Sequence, residues 1–193
     1  MEKLGSKLLV TERLELRPQR IEEQKRLWEI LMMPEVNKYY LDVPKKFIDK
    51  LYDWNIQKNY YEKLMEHSLD IGVFKWSVFL KNTNTCIGYV ISQDGLAGNP
   101  SIRGVGWYFD PTYWGKGYAS ESAKIMIDYL FKEVKIDKII SGAAIVNPGS
   151  WKIMEKLGFK RLKETEMIQY TFLDEKIEDY KYEITREDYL KVK

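Results

Sequence analysis

The sequence predicts a single α/β (α+β) domain built on a mixed, mostly antiparallel sheet. Three observations carry that prediction. Between residues 75 and 109 three β-rich segments follow one another through short connections, which implies an antiparallel meander. A helix-period pattern from Gly117 to about Val134 then leads into a further apolar strand, Lys138 to Ile145, so a crossover must lay that strand beside the meander's last one. No repeat, low-complexity tract or linker divides the 193 residues, and that length suits one domain, 1–193, with a sizeable core.

Each element has a local reason. Residues 8–18 alternate at Leu14 and Leu16, a first strand that Pro18 ends. Ile21 to Met33 is helical, with Ile21, Leu27, Trp28, Leu31 and Met32 on one side and Pro34 closing it. An irregular stretch, Pro34 to Pro44, carries Tyr39 and Tyr40. A second helix runs from about Lys46 to Met65, with Phe47, Leu51, Trp54 and Lys58 near turn spacing. Its Tyr and Trp residues fall on more than one side, which leaves both a packed helix and a groove-lining one open. Lys75–Lys81 and Cys86–Ser92 form a hairpin through the turn residues Asn82-Thr83-Asn84-Thr85. A loop from Asp94 to Pro100, with Gly95 and Gly98, leads into the third strand of the meander.

Beyond the crossover, Asn147-Pro148-Gly149-Ser150 breaks the chain. Ser150 is suited to cap a helix through Trp151, Ile153, Met154 and Leu157, a role worth about 1 kcal/mol, and Gly158 fits its C-terminal stop. Two β-rich stretches, Phe159–Phe172 and Glu178–Thr185, finish the domain around a turn at Asp174-Glu175-Lys176. The expected architecture is about six to seven strands flanked by about four helices.

Composition removes several function classes. The 31 Lys+Arg nearly balance the 29 Asp+Glu, and a formal charge of +2 makes no general case for nucleic-acid binding. Cys86 is the only cysteine, so an internal disulfide is impossible and a reducing, cytoplasmic setting is expected. His67 is the only histidine, which leaves neither a zinc site nor a Ser-His-Asp triad enough residues to work with. The first residues lack the apolar core of a signal peptide, and no apolar run approaches the ~20 residues of a membrane helix. The expectation is therefore no metal, no nucleic acid and no membrane. Aromatics at 14% fit a well-packed core or an aromatic-lined pocket.

Residues 105–123 concentrate the chemistry. An apolar run through Val105, Trp107, Tyr108 and Phe109 reads as a strand that Asp110-Pro111 stops. A tight turn with Gly115 and Gly117 follows, and then a helix patterned through Ala119, Ser122, Ala123, Met126 and Leu130. The first N–H groups of a helix lack intrahelical partners and carry positive partial charge, so this turn suits an anion. Gly115 and Gly117 let the backbone approach a phosphate with no Cβ in the way.

Taken together, the chain resembles the GNAT superfamily of acetyl-CoA-dependent N-acetyltransferases, in its ribosomal-protein N-terminal acetyltransferase branch. Thr11-Glu12-Arg13-Leu14-Glu15-Leu16-Arg17-Pro18 is similar to that branch's opening strand. Trp107 to Pro111, with Tyr113-Trp114-Gly115-Lys116-Gly117-Tyr118-Ala119-Ser120-Glu121, resembles its pyrophosphate segment. Asn147 and Ser150, with Met154-Glu155-Lys156-Leu157-Gly158-Phe159, resemble its second cofactor segment, and the β-rich tail through Arg186-Glu187-Asp188-Tyr189 resembles its usual ending. The superfamily's Arg/Gln-x-x-Gly-x-Gly/Ala signature is met at Gly117 and Ala119. Trp114 stands at its first position, where backbone N–H groups rather than the side chain do the binding.

The resemblance implies transfer of an acetyl group from acetyl-CoA to a primary amine, a protein N-terminus or a small-molecule amine, by direct attack in a ternary complex. It implies that the strand through Trp107 splays from the strand 138–145 and admits the pantetheine arm. Tyr108 and Phe109 then hold the pantetheine and the acetyl oxygen through their main chain. The pyrophosphate falls to Trp114, Gly115, Lys116, Gly117, Tyr118, Ala119 and Ser120, with Lys116 either adding charge or merely solvated. Asn147 is implied to bind the pantetheine. Ser150 is either a helix cap or, by resemblance, the group that protonates the departing thiolate; the two are compatible. The branch's acidic base position falls at Gln169, and glutamine cannot take a proton as a carboxylate does. Glu166 stands in as the catalytic carboxylate if a bulge turns it inward; otherwise water or another residue serves, His67 among the alternatives. Glu121 serves the first turn of its helix through the dipole. The second expectation, which Gln169 keeps open, is a non-catalytic acyl-CoA-binding sensor or subunit of the same fold. The molecule is expected to be a monomer or homodimer.

Overall fold

Leu14 and Leu16 are fully buried, while Glu15 and Arg17 at the alternate positions reach solvent and pair at 2.6 Å, the alternation of a strand covered on one face. The computed structural model describes residues 4–39, 45–67, 70, 72–95 and 98–191. Among these are eight strands and seven helices. The strands are β1 (Leu9–Val10), β2 (Leu14–Pro18), β3 (Phe74–Leu80), β4 (Cys86–Asp94), β5 (Ile102–Phe109), β6 (Lys138–Ala144), β7 (Lys160–Ile168) and β8 (Ile177–Thr185). They form one sheet in the order β1-β2-β3-β4-β5-β6-β8-β7, antiparallel throughout except between β5 and β6. The meander and the crossover are as expected. The strand count rises by one because the first strand folds back at Thr11, whose N–H donates to the Leu14 carbonyl at 2.9 Å.

The helices cover both faces. On one lie α5 (Tyr118–Tyr129), continued by a π-turn Leu130–Val134, then α6 (Pro148–Lys156) and α7 (Arg186–Lys191). Their Met126, Ile127, Leu130, Met154 and Tyr189 pack on Trp76, Val78, Ile139 and Tyr182. Burying each such side chain favours folding by about 1.5–3 kcal/mol, so this layer dominates the core. On the other face α1 (Ile21–Leu31) and the short α2 (Pro34–Asn37) set Leu27, Ile30, Leu31 and Val36 against Tyr89, Ile91 and Tyr108.

Four local expectations are corrected. Ile21 lies 37% exposed rather than on the buried side of α1, because the buried stripe begins with Gln24 and Leu27. The second helix is broken into α3 (Ile48–Tyr52) and α4 (Trp54–Met65) at Asp53, whose carboxylate accepts from the Asn55 N–H at 2.9 Å; aspartate favours such an N-cap over a helix interior. β7 ends at Ile168, so residues 169–176 form a longer connection than a tight turn. The final segment from Arg186 is the helix α7 rather than strand. Tyr40 and Pro44 lie outside the described residues.

Candidate functional site

β5 runs beside β4 along its whole length, but its parallel pairing with β6 stops at Gly104 and Ile140. Beyond that point β6 stays with β8, and β5 stays with β4, so the sheet opens between them. Ser141 bridges the start of the opening, its hydroxyl donating to the Val105 carbonyl at 3.0 Å. Main-chain groups alternate edges along a strand, so Trp107 and Phe109 present theirs on the same edge as Val105. The Phe109 carbonyl accepts from the Trp114 indole N–H at 2.8 Å, which leaves the Phe109 N–H for a bound group.

A cavity of about 800 Å³ occupies this opening. Its size suits a small-molecule site, for which about 300–1,000 Å³ is usual. One wall belongs to the face that carries α5 and α6, with Gly115, Gly117, Ala119, Ser120, Asn147 and Ser150. The other belongs to the opposite face, with Glu35, Tyr39 and Tyr170. The cavity thus joins the two faces through the sheet.

The glycine turn is set by backbone conformation. Gly115 and Gly117 have φ of +71° and +81°, values in the left-handed region that glycine adopts without penalty. An added Cβ would meet no protein atom within 4 Å at Gly115, and only the Arg13 guanidinium, at 3.4 Å, at Gly117. Gly117 is the N-cap of α5, so the first N–H groups of that helix open onto the cavity. Arg13 holds the turn from outside. Its Nη1 donates to the Lys116 carbonyl at 3.0 Å, its Nε to Glu121 at 2.7 Å, and its guanidinium lies 4.6 Å from the Tyr118 ring centroid. Thr11 completes the clamp with a 2.5 Å hydrogen bond to Glu121. Partial burial alone would raise the Glu121 carboxyl, but these hydrogen bonds outweigh it and hold the group below the usual carboxylate range. Asp110, buried at the end of β5, is likewise held low despite burial, by hydrogen bonds from Thr112 and Arg26.

The structure brings together Tyr108, Phe109, Trp114, Gly115, Gly117, Tyr118, Ala119, Ser120, Asn147 and Ser150, all on the cavity wall. Lys116 is not on that wall; its Nζ turns back to the Thr112 carbonyl at 3.0 Å and over the Tyr113 ring. Ser150 is not the helix cap. Pro148 takes the first helical position, which its fixed φ suits, so α6 starts at Pro148 with Asn147 as N-cap. The Asn147 side chain makes no capping hydrogen bond. Among the described residues the Ser150 hydroxyl has no hydrogen-bond partner either.

The expected carboxylate is placed differently. A bulge does interrupt β7, between Arg161 and Thr165, yet Glu166 beyond it stays exposed and pairs with Lys181 at 2.9 Å. Gln169 folds back, donating to the Tyr170 and Leu173 carbonyls at 3.2 and 2.8 Å. His67 is exposed and its Nδ1 lies 2.9 Å from Asp70, off the cavity wall. Neither α3 nor α4 contributes to that wall, and Tyr52 and Tyr60 are exposed. What sequence reasoning missed is the Arg13–Glu121 clamp and Tyr170. Arg13 lies within the quoted opening segment, but nothing local ties it to Lys116, 103 residues on. Among the described residues, no three His, Cys, Asp or Glu side chains gather to hold a metal, and no helix is long and apolar enough to cross a membrane.

Comparison with known proteins agrees with this geometry. Residues 13–160 match the family model described as an acetyltransferase (GNAT) domain. An uncharacterized N-acetyltransferase of Bacillus subtilis, YnaD, is 34% identical over 87 residues, 45% of this chain and only half of that relative's length. A second Bacillus subtilis protein, the uncharacterized YkkB, is 32% identical over 155 residues, 78% of this chain and 83% of the relative. Among solved structures, a GNAT-family acetyltransferase from Bacillus anthracis superposes with a TM-score of 0.75 at 26% identity, over 94% of this chain and 99% of that one. The opened sheet, the glycine turn at a helix N-terminus and the family match over most of its length agree: the chain belongs to the GNAT family of acetyl-CoA-dependent acyltransferases.

Proposed function

We propose that this chain transfers the acetyl group of acetyl-CoA to a primary amine, a protein N-terminus or a small-molecule amine, by direct attack in a ternary complex. The observation that carries the reading is the opening between β5 and β6, which joins the glycine turn on one face to Tyr39 and Tyr170 on the other. A donor lying in it has its phosphates on one side of the sheet and its thioester at the gap. An acceptor then approaches from the far face without displacing it.

In this reading the N–H groups of Gly115 to Ala119, with Ser120, hold the pyrophosphate at the positive end of α5. Lys116, folded onto Thr112, contributes through its main chain. The open edge of β5, with the main-chain groups of Trp107 and Phe109, binds the pantetheine as an added strand would. Tyr108, whose main chain faces β4, does not take the expected main-chain role. The Phe109 N–H is directed at the acetyl oxygen, where negative charge develops. Trp114 braces that residue through its carbonyl. Asn147 is left to the pantetheine, because its side chain is not used as a cap. The Ser150 hydroxyl, on the cavity wall and likewise free of capping duty, supplies a proton to the departing sulfur. Glu166 takes no proton in this reading, since its carboxylate is exposed and paired with Lys181 outside the cavity.

A second reading, an acyl-CoA-binding protein that does not turn its ligand over, is favoured by one observation: Gln169 and Glu166 both face away from the cavity. Release of CoA thiol from acetyl-CoA, followed across a panel of amines and N-terminal peptides, separates the two. The proposal expects amine-dependent release with at least one acceptor class. Binding without release for every acceptor would leave the sensor reading in its place.

A further inference from the structure

With Glu166 outside the cavity, the acceptor end needs another proton acceptor; beside the exposed Glu35 carboxylate, the described residues place one buried pair there. Tyr170, on the connection after β7, is buried, lines the cavity and is met edge-on by Tyr39 at 5.9 Å between ring centroids. Its hydroxyl donates to Asp179 Oδ2 at 2.7 Å. Asp179 stands on β8 between Ala144 of β6 and Glu166 of β7, and is only 8% exposed. Its other oxygen, Oδ1, is buried with no hydrogen-bond partner among the described residues. A buried, half-satisfied carboxylate costs stability, because its bare oxygen has given up water for no partner. On β6, beside its register partner Ala144, Gly142 of the cavity wall lies close enough that an added Cβ would stand 3.9 Å from Oδ2.

We infer that Tyr170 is the catalytic residue that takes the acceptor amine's proton, handing its own to Asp179, which positions it. This rests on the acetyl-transfer reading above. A tyrosine hydroxyl has one proton to donate, and here it is spent on Asp179. Of the oxygen's lone pairs one meets the Ala144 backbone N–H, and the other is left toward the cavity, where it suits an ammonium or amine N–H and not a carbonyl or a thiolate. In the step itself the acceptor's N–H bond breaks and its proton goes to the Tyr170 oxygen. The Tyr170 O–H bond breaks in concert and that proton goes to Asp179 Oδ2, while the electron pair stays on nitrogen. The neutral amine then forms the C–N bond to the thioester carbon. The C–S bond breaks with its pair on sulfur, and the second nitrogen proton reaches sulfur through Ser150. Asp179 returns its proton to solvent after product leaves.

The surroundings fit the task. Burial raises the Asp179 carboxyl above its ordinary value, the Tyr170 hydrogen bond opposes that in part, and the Glu166 charge adds to it. Burial and the Asp179 carboxylate push the Tyr170 hydroxyl up as well, with the Ala144 backbone N–H opposing in part, so it stays protonated and passes a proton on instead of standing as a phenolate. Among the described residues the groups that face Asp179 are Tyr170 from the connection, Glu166 from β7 with Lys181 beside it, and from β6 Gly142 and Ala144, which do not titrate.

The test is steady-state kinetics across pH for wild type, Y170F, D179N, the double variant and E166Q, with acetyl-CoA Kd measured alongside. Y170F and D179N should each lower kcat about 100-fold, a usual share for a general base, with Kd changed less than about twofold. The double variant should be no slower than the slower single one, as for groups acting as a unit. The wild-type rate should fall as acid protonates Asp179. E166Q should move that acid limb to lower pH, because it removes a charge that raises Asp179. Full kcat in Y170F, or an E166Q limb that stays in place, would overturn the relay; so would loss of melting temperature in Y170F with kcat and pH profile intact. A wild-type enzyme that releases no thiol with any amine overturns the acetyl-transfer reading itself, and is told apart because the loss precedes any substitution.

Discussion

At the scale of single residues, the account turns on side chains whose hydrogen-bonding capacity is left for a ligand. Ser150 was ambiguous in the sequence because a serine after Asn-Pro-Gly suits both a cap and an acid. Pro148 resolves it by starting α6 three residues earlier. Ser150→Ala should therefore lower kcat about 10- to 100-fold while leaving melting temperature and acetyl-CoA Kd near wild type. Equal loss of Kd and stability would restore the capping role. Gly117 was legible as a phosphate-turn glycine, but for an incomplete reason: what demands glycine is a φ of +81°, with only the Arg13 guanidinium near an added Cβ. Gly117→Val should strain that turn and displace the clamp, weakening acetyl-CoA binding at least about tenfold, since forcing an L residue into this region costs about 1–2 kcal/mol. Undiminished Kd would mean that the turn does not bind the phosphates. The base was the least legible residue. Gln169, Glu166 and Tyr170 lie within five positions, and which of them faces the cavity depends on a bulge and a strand end that no local pattern announces.

At the scale of elements, the strands could be read because Leu14, Leu16 and their neighbours alternate as the sheet requires, and the turn chemistry at Asn82–Thr85 fixes the hairpin. The break of the second helix could not be weighed against its 3.6-residue pattern, although Asp53 is the residue type that caps. The clamp from the β1–β2 turn to α5 was beyond sequence reasoning, because Thr11 and Arg13 reach Glu121 and Lys116 only after the meander has folded. Arg13→Ala removes both its hydrogen bond to the Lys116 carbonyl and its ion pair with Glu121. It should weaken acetyl-CoA binding about tenfold, by loosening the glycine turn, while the helix content read by circular dichroism stays the same. A variant with wild-type Kd would show that α5 holds the turn unaided.

At the scale of the whole molecule, one sheet opened between two strands ties fold to function, and the family's ordered motifs made that opening legible from sequence. Stability across pH is a property of the same scale. Burial by itself would raise Asp128, but hydrogen bonds from Lys124, at 2.7 Å, and Lys132 bring its carboxyl down from 3.8 to about 2. A carboxyl depressed in the folded state stabilises it above the unfolded pKa, and that contribution is lost as pH falls from about 4 through about 2. Asp128→Asn should thus cost about 1 kcal/mol at neutral pH, allowing for screening at the two exposed lysines, and the difference from wild type should shrink as pH falls through about 2. Denaturant midpoints at neutral and acid pH check it, and a deficit that persists undiminished in acid would contradict it. The central claim is that the opening between β5 and β6 seats acetyl-CoA. Calorimetric titration of acetyl-CoA into the wild-type protein tests it most directly. The account predicts saturable binding at one site per chain, with Kd on the order of micromolar to submillimolar; an absence of binding heat at millimolar acetyl-CoA would contradict it.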